Sequence, residues 1–294
     1  MTSRAWAMVS RVLLGVLVAA LAQAAAVDAQ ELQGTLKKIK TSGTLTIGYR
    51  EASPPFSFLG PDKRPVGYSI DLCLQVAAAV QKSLGMADLK LSWVAVTPES
   101  RIAAVAQGNV DIECGSTTAS LSRQEQVDFS LPTFVDGGGL LVTKESNLRG
   151  LGDLGGKRIA VASATTTEQS LVEFLKAEFI TAQILKVKDH ADGLAALQNG
   201  TADAYASDRG ILVGLALSAP DPKRFGLSTV AFSYEPYALM VRRNDAAFRL
   251  VVNRALAELY RSTRVVNIFD RWFGAFGKPS TALAAMYQLN ALPE

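Results

Sequence analysis

The chain has one histidine and two widely separated cysteines among its 294 residues. A zinc site needs several such ligands at short, characteristic spacings, so the sequence predicts no metal site. Neither GxxxxGK[ST] nor a GxGxxG after a predicted strand occurs, so the usual phosphate-binding signatures are also missing. We therefore expect no metal and no cofactor.

An excess of one sign of charge is also lacking. Lys and Arg number 30 against 27 Asp and Glu, a formal net charge of +3 without any basic run. This balance argues against nucleic acid or an anionic membrane surface as a partner. Beyond the N-terminal residues, no apolar run is long enough to span a bilayer.

The first 29 residues have the organisation of a signal peptide. Arg4 and Arg11 form a basic region, residues 12–26 are almost wholly apolar, and residues 27–29 have the small-x-small form of a cleavage site. Cleavage after Ala24 or Ala26 is an alternative to cleavage after Ala29. We expect export, and hence a periplasmic location.

Export makes Cys73 and Cys114 candidates for a disulfide bond, because exported proteins meet an oxidising compartment. Two buried free thiols are the alternative, since an unpaired Cys is commonly buried.

Predicted strands and helices alternate along the chain, as in an α/β protein whose helices cover largely parallel sheets. The predicted strands are residues 44–49, 89–96, 110–112, 157–163, 184–188, 202–206 and 237–241. The predicted helices are residues 70–84, 101–107, 168–179, 192–199 and 246–273.

Two predicted helix starts carry hydroxyl groups. Ser122 and Glu125 have the S-x-x-E spacing of a capping box, with Arg123 between them, and residues 165–168 repeat the pattern as TTTE. Free N–H groups, hydroxyls and a guanidinium suit a carboxylate. Two lobes presenting such edges to each other would enclose a small anion by hinge closure.

The motif order resembles that of periplasmic solute-binding proteins of ABC transporters for polar amino acids (family 3), and most of all the glutamate/aspartate-binding branch. The motifs, spread over residues 34–273, are GYRE, PFSF, GYSIDLC, RIAAVAQGNVDIECGSTTASLSRQEQVDFS, LGDLGGKRIAVASATTTE, KDHADGLAALQNGTADAYASD and FDRWF.

The resemblance implies a type II-like periplasmic-binding-protein fold, with two lobes that each have a mostly parallel central sheet and are joined by a two-crossing hinge. We expect the first lobe to comprise residues 30–142 and 238–294, and the second lobe residues 143–237.

The resemblance also implies which residues hold an amino acid. Arg123 would grip the α-carboxylate, and Asp208 would accept the ammonium group; the alternative for Asp208 is a helix N-cap. The further donors expected around the α-carboxylate are Ser116, Thr118, Thr165 and Thr166.

A second, side-chain carboxylate is expected between Arg50, Arg101 and His190. A buried carboxylate must be paired, because an unpaired buried charge costs several kcal/mol. A lone His is more often structural, and an Arg is usually solvated; the KDH, GYRE and ESRIA contexts favour binding roles. Pro98, where the branch tends to have a polar residue, and Arg209, beside Asp208, depart from the pattern.

We expect a monomeric, non-enzymatic protein that captures glutamate or aspartate and delivers it to the permease subunits of the transporter. Glutamine or another polar amino acid is an alternative ligand. An enzyme on the same scaffold, such as a cyclohexadienyl dehydratase, is the alternative function, with Glu113 and His190 as its available acid or base. The sensor half of a signalling receptor is a third possibility.

Overall fold

The computed structural model describes residues 32–146, 148, 150–228 and 231–293. Residues 34–294 form one compact unit. The predicted signal peptide, residues 1–29, lies outside the described residues. Within the described part of the chain, none of the helices combines the length and the apolarity that crossing a bilayer requires.

Helices and strands alternate, as predicted. The helices are α1 (Gly34–Ser42), α2 (Tyr68–Ser83), α3 (Arg101–Ala106), α4 (Leu121–Gln124), α5 (Thr166–Ala177), α6 (His190–Gln198), α7 (Arg209–Ser218), α8 (Ala246–Tyr260), α9 (Arg264–Phe273) and α10 (Thr281–Leu289). Short 3₁₀ turns lie at Lys144–Ser146, Leu151–Leu154, Pro222–Arg224 and Gly274–Phe276.

The strands form two five-stranded sheets and one small three-stranded sheet. The strands are β1 (Thr44–Tyr49), β2 (Ala52–Ser53), β3 (Ser57–Leu59), β4 (Pro65–Val66), β5 (Lys90–Ala95), β6 (Ile112–Glu113), β7 (Val127–Asp136), β8 (Gly138–Thr143), β9 (Arg158–Ala162), β10 (Gln183–Val187), β11 (Ala204–Asp208), β12 (Phe225–Leu227) and β13 (Glu235–Arg242).

The two large sheets have the same plan. The first has the order β5-β1-β6-β13-β7 and the second the order β10-β9-β11-β8-β12. In each sheet four of the five strands run in one direction, and one strand, β13 in the first sheet and β8 in the second, runs antiparallel to them. The sheets are therefore mostly parallel, as predicted, and each is mixed because the strand that follows a crossing enters its sheet in the opposite direction.

The chain crosses between the sheets twice. β7 of the first sheet leads through Gly137 into β8 of the second, and the chain returns from β12 to β13. At the hinge, Glu235 at the start of β13 lies opposite Asp136 at the end of β7. We propose that the boundaries between the lobes lie at Gly137 and just before Glu235, a few residues earlier than the sequence-based boundaries at 142 and 238.

Two helix predictions need correction. The expected single helix over residues 246–273 is two helices, α8 and α9, separated by a turn in which the Ser262 hydroxyl donates to the Leu259 carbonyl at 2.7 Å. The expected helix at residues 192–199 begins at His190, because the Asp189 side chain accepts a hydrogen bond from the His190 N–H at 2.7 Å and so caps the helix two residues earlier.

Cys73 on α2 and Cys114, directly after β6, are joined by a disulfide bond, with Cα atoms 6.3 Å apart. Both side chains are fully buried. The bond fixes a helix of the first lobe to the strand that leads into the hydroxyl-rich turn. A cross-link of this kind restricts the unfolded chain and so stabilises the fold.

Replacing both cysteines by alanine is expected to lower the free energy of unfolding by about 4 kcal/mol, because the bond closes a loop with a sequence separation of 41. Urea titration of the oxidised wild type and the variant would measure the difference. Reduced wild type should match the variant. Equal midpoints for oxidised and reduced wild type would contradict a stabilising role.

Candidate ligand-binding site

A cavity between the two large sheets brings together most of the predicted site residues. Its lining includes residues of both lobes, contributed by the ends of strands and the starts of helices. The lining residues are Arg50, Arg101, Ser116, Thr118, Thr165, Thr166, Thr167, His190, Ser207, Asp208 and Ile211. Thr167, Ser207 and Ile211 were not among the sequence-based candidates.

The three arginines expected to bind carboxylates are all buried, with exposed fractions of 1% for Arg50, 3% for Arg101 and 8% for Arg123. Burial lowers the pKa of Arg101 to about 9, and the neighbouring cations Arg123 and Arg50 act in the same direction. Three buried cations so close together favour an anion among them, because each lacks water and repels the others.

Two of these guanidinium groups retain hydrogen-bonding capacity. Arg50 forms an ion pair with Asp189, and Arg101 donates through Nη1 to the Thr117 hydroxyl at 2.7 Å. The buried Nε atoms of Arg50 and Arg101 have no hydrogen-bond partner among the described residues. A buried donor without a partner is costly, so these atoms suit a ligand oxygen.

Arg123 lies beside the cavity rather than in its lining. Its Nη1 donates to the Thr118 carbonyl at 2.7 Å. Burial lowers the Arg123 pKa, whereas the nearby carboxylate of Glu235 raises it. Its expected contact with an α-carboxylate stays a prediction.

The predicted capping box at Ser122 and Glu125 is wrong. The N-cap is Ser120, whose hydroxyl accepts a hydrogen bond from the Arg123 N–H at 3.3 Å. Glu125 lies at the C-terminal end of the four-residue helix α4, so it cannot close a box at the first turn. The backbone at Ser120 is extended, as an N-cap position requires.

The second predicted helix start does carry its cap. The Thr165 hydroxyl accepts the Glu168 N–H at 3.0 Å and donates to the Ala162 carbonyl at 2.7 Å. The Thr165 hydroxyl proton is thus used within the protein. Thr166, the first residue of α5, directs its hydroxyl to the Glu235 carboxylate at 2.6 Å.

His190 is buried at the start of α6. Burial lowers its pKa to about 3, and the adjacent Arg50 cation acts in the same direction, so the ring is neutral near pH 7. Its Nδ1 lies 2.7 Å from the Tyr205 hydroxyl. If that hydroxyl donates to Nδ1, then Nε2 carries the ring proton and can donate to a ligand oxygen.

A glycine makes this arrangement possible. The Tyr205 ring lies so close to Gly193 of α6 that a Cβ there would meet a ring carbon at 2.1 Å. A side chain at position 193 would displace the Tyr205 ring, whose hydroxyl contacts His190.

Asp208 ends β11 at the N-cap position of α7, but its side chain forms no capping hydrogen bond. It accepts instead from the Thr167 hydroxyl at 2.6 Å and from the Tyr237 hydroxyl. Burial raises the Asp208 pKa, with the neighbouring carboxylates of Glu235 and Asp136 as further causes. A cation placed here would relieve that repulsion, which is what an ammonium acceptor requires.

Three residues outside the cavity lining, Asp189, Thr117 and Glu235, were also missed from the sequence. Asp189 pairs with Arg50, the Thr117 hydroxyl joins Arg101 to Glu113 at 2.7 Å from each, and Glu235 lies beside Thr118 and Thr166. For Glu235, the available signal was an acidic residue at the start of the otherwise apolar strand EPYALMV.

The two departures from the branch pattern lie apart from the cavity lining. Pro98 is buried before α3, and Arg209 donates to the Ser228 carbonyl at 3.0 Å. Among the described residues, no group of His, Cys, Asp or Glu is arranged to hold a metal ion.

The chain forms two similar lobes, crosses between them twice and encloses buried charged residues in the cavity where they meet. These features define a two-lobed solute-binding protein. A family model of bacterial extracellular solute-binding proteins, family 3, matches residues 45–275. The chain belongs to this family, which confirms the resemblance described from the motifs.

Two similar proteins within the family are named for binding glutamate and aspartate. The L-glutamate/L-aspartate-binding protein of Pseudomonas aeruginosa is 42% identical over 262 residues, covering 89% of this chain and 87% of that protein. The glutamate/aspartate import solute-binding protein of Escherichia coli (strain K12) is 34% identical over 258 residues, covering 87% of this chain and 85% of that protein.

Solved structures share the fold. An ancestral amino acid-binding protein, described as a precursor of cyclohexadienyl dehydratase, matches with a TM-score of 0.71 and 27% identity, covering 82% of this chain and 100% of that one. The predicted type II periplasmic-binding-protein fold is confirmed, with the sheets mixed as described above.

The lowered pKa of His190 predicts that its ring does not titrate near neutrality. It is the only histidine of the chain, so its ring proton resonances in an untagged protein report on one group. They should stay unshifted from pH 8 down to about pH 4.5, because the folded-state pKa is about 3.

The same shift makes protein stability depend on pH. The unfolded chain takes up the His190 proton near pH 6.5 and the folded protein only near pH 3, so stability should fall as the pH decreases through that interval. A ring titration near pH 6.5 in the folded protein would contradict the buried, neutral assignment.

Proposed function

We propose that this protein is the periplasmic solute-binding component of an ABC importer that captures glutamate or aspartate. The observation that carries the proposal is the separation of charge within the cavity. Arg50, Arg101 and the neutral ring of His190 form one group of interacting residues, the cationic side, whereas Asp208 interacts with the carboxylates of Glu235 and Asp136, the anionic side. An amino acid with a second carboxylate has charges that complement both sides.

The cationic side suits the second carboxylate. Arg50 and Arg101 each have a buried Nε without a partner among the described residues, and His190 has a ring nitrogen to offer. A glutamine side chain would leave part of this positive charge uncompensated. We infer that an acidic ligand is preferred over glutamine for that reason.

The anionic side suits the ammonium group, with Asp208 as its acceptor. We propose that Arg123, whose Nη1 donates to the Thr118 carbonyl, also contributes to binding the α-carboxylate. Relatives named for glutamate and aspartate binding support the same ligand class.

Closure of the two lobes over the ligand is the proposed mechanism. Arg50 of the first lobe and Asp189 of the second form an ion pair, so residues that surround the ligand also join the lobes. Enclosure removes water, which strengthens every charge interaction in the cavity. Release to the permease subunits would then require the lobes to separate. We propose that the exported protein acts as a monomer.

A binding role is better supported than catalysis. His190, one of the two residues considered as an acid or base, is neutral with a pKa of about 3, which leaves it a poor general acid near pH 7. Glu113, the other, is buried and accepts the Thr117 hydroxyl, which places it behind Arg101 rather than in the cavity lining.

Replacing Arg101 by glutamine is expected to weaken glutamate binding by a factor of roughly 100 or more, because losing one partner of a buried charge pair costs about 3–5 kcal/mol. Glutamine binding should change much less. Titration calorimetry on refolded, ligand-free protein would measure both. Arg50→Gln should give the same pattern, whereas Arg123→Ala should abolish binding of both amino acids.

Arg64→Gln is the matched control, since its side chain is 83% exposed and pairs at the surface with Asp62. It should leave both affinities unchanged. Equal losses for glutamate and glutamine in the Arg101 and Arg50 variants would contradict recognition of the second carboxylate. Failure of the wild type to bind any acidic amino acid would contradict the proposed function itself.

A further inference from the structure

Glu235 is a buried carboxylate at the hinge that the expected ligand set does not include. Only 1% of the residue is exposed. Its Oε1 accepts the Ser233 hydroxyl at 2.6 Å, and its Oε2 accepts the hydroxyls of Thr118 and Thr166, each at 2.6 Å. Thr118 belongs to the first lobe and Thr166 to the second, so one oxygen atom contacts both lobes.

These contacts fix the direction of the two threonine hydroxyls. A hydroxyl has one proton to donate and two lone pairs with which to accept, whereas an ionised carboxylate only accepts. The protons of Thr118 and Thr166 therefore point at Glu235. Both residues also line the cavity. The Thr166 hydroxyl contacts the Thr118 hydroxyl at 3.2 Å, a longer contact than its 2.6 Å bond to Glu235, so each oxygen keeps a lone pair for a ligand.

A third threonine behaves in the same way. Thr167 donates its proton to Asp208 at 2.6 Å and also lines the cavity. Three hydroxyls on this side of the cavity thus act as acceptors, next to the Asp208 carboxylate. The ligand group that fits is a donor with several protons and a positive charge, which is an ammonium group and not a carboxylate.

We propose that Glu235 is a positioning residue that orients the Thr118 and Thr166 hydroxyls as acceptors for the ammonium group of the ligand. This inference rests on the proposed function and deepens it, because it makes selectivity for an amine depend on a residue outside the cavity lining. It also revises the sequence-based expectation that these two hydroxyls donate to the α-carboxylate.

The position of Glu235 links this selectivity to lobe closure. Glu235 begins β13, opposite Asp136 at the end of β7, and these are the strands next to the two crossings. The Thr118 and Thr166 hydroxyls can share its Oε2 atom only while the lobes are together. The acceptor group is therefore assembled by closure.

Glu235→Gln tests the proposal, because an amide can donate to the threonine oxygens and so reverse their direction. The probes are L-glutamate and glutarate, which has the same two carboxylates but no amine. We expect glutamate affinity to fall roughly 10- to 100-fold, since hydrogen bonds to charged groups contribute about 1.5–3 kcal/mol. Glutarate affinity should stay unchanged or rise, because a nearby negative charge is removed.

Glu258→Gln is the control, as its side chain is 65% exposed and pairs with Arg264; neither ligand should be affected. A parallel loss of both ligands in Glu235→Gln would assign Glu235 a purely structural role and overturn the proposal. Tighter glutamate binding would overturn it as well, because Glu235 would then compete with the ligand for the hydroxyls.

Thr166→Val provides a second route if Glu235→Gln does not fold, because it removes one acceptor and should also weaken glutamate selectively. If glutarate binds too weakly to measure, a double-mutant cycle of Thr166→Val and Glu235→Gln, measured with glutamate, tests whether Glu235 acts through Thr166. The proposal predicts that Thr166→Val costs little once Glu235 is replaced, whereas additive losses would overturn it. Glutamate binding by the wild type is measured first. If the wild type does not bind glutamate, the proposed function fails; if it does, the results with the variants test the role of Glu235 alone.

Discussion

The enclosure of three guanidinium groups between two lobes is the constraint on which the rest of the structure depends. Arg50, Arg101 and Arg123 cannot ionise at low cost unless anions lie close to them. The protein supplies some of these anions itself, notably Asp189 and Glu113. The buried Nε atoms of Arg50 and Arg101 keep hydrogen-bonding capacity that no described residue uses. Closure of the lobes over an anionic ligand is thus the same step that compensates the charges of the buried arginines.

The repeated architecture explains why such a site lies between the sheets. Each lobe presents strand ends and helix starts, where backbone N–H groups are free and polar side chains can be placed without disturbing the core. In the first lobe these positions hold Arg50 and Arg101, and in the second they hold Thr166, His190 and Asp208. The hinge strands β7 and β13 contribute carboxylates, so the connection between the lobes also takes part in the electrostatics of the cavity.

Much of this arrangement could be predicted from the sequence, because strand and helix periodicity and the motif order are local signals. The α/β pattern and the cap at Thr165 follow from them, whereas the gathering of Arg50, Arg101, His190 and Asp208 was implied by the resemblance to a known family. The features that the sequence did not predict depend on long-range contacts. The role of Glu235 depends on the pairing of β13 with β7, which brings it to the hinge. No local pattern distinguished Ser120 from Ser122 as the cap of α4. The direction of a hydroxyl proton likewise requires knowledge of its acceptor.

The most direct test of the central claim is a crystal structure of the protein with L-glutamate bound. The account predicts that the side-chain carboxylate contacts Arg50 and Arg101, and that the ammonium group lies against Asp208 with the Thr118 and Thr166 oxygens. A glutamate bound in the reverse orientation, or a bound structure in which Arg50 and Arg101 face solvent instead of the ligand, would contradict it.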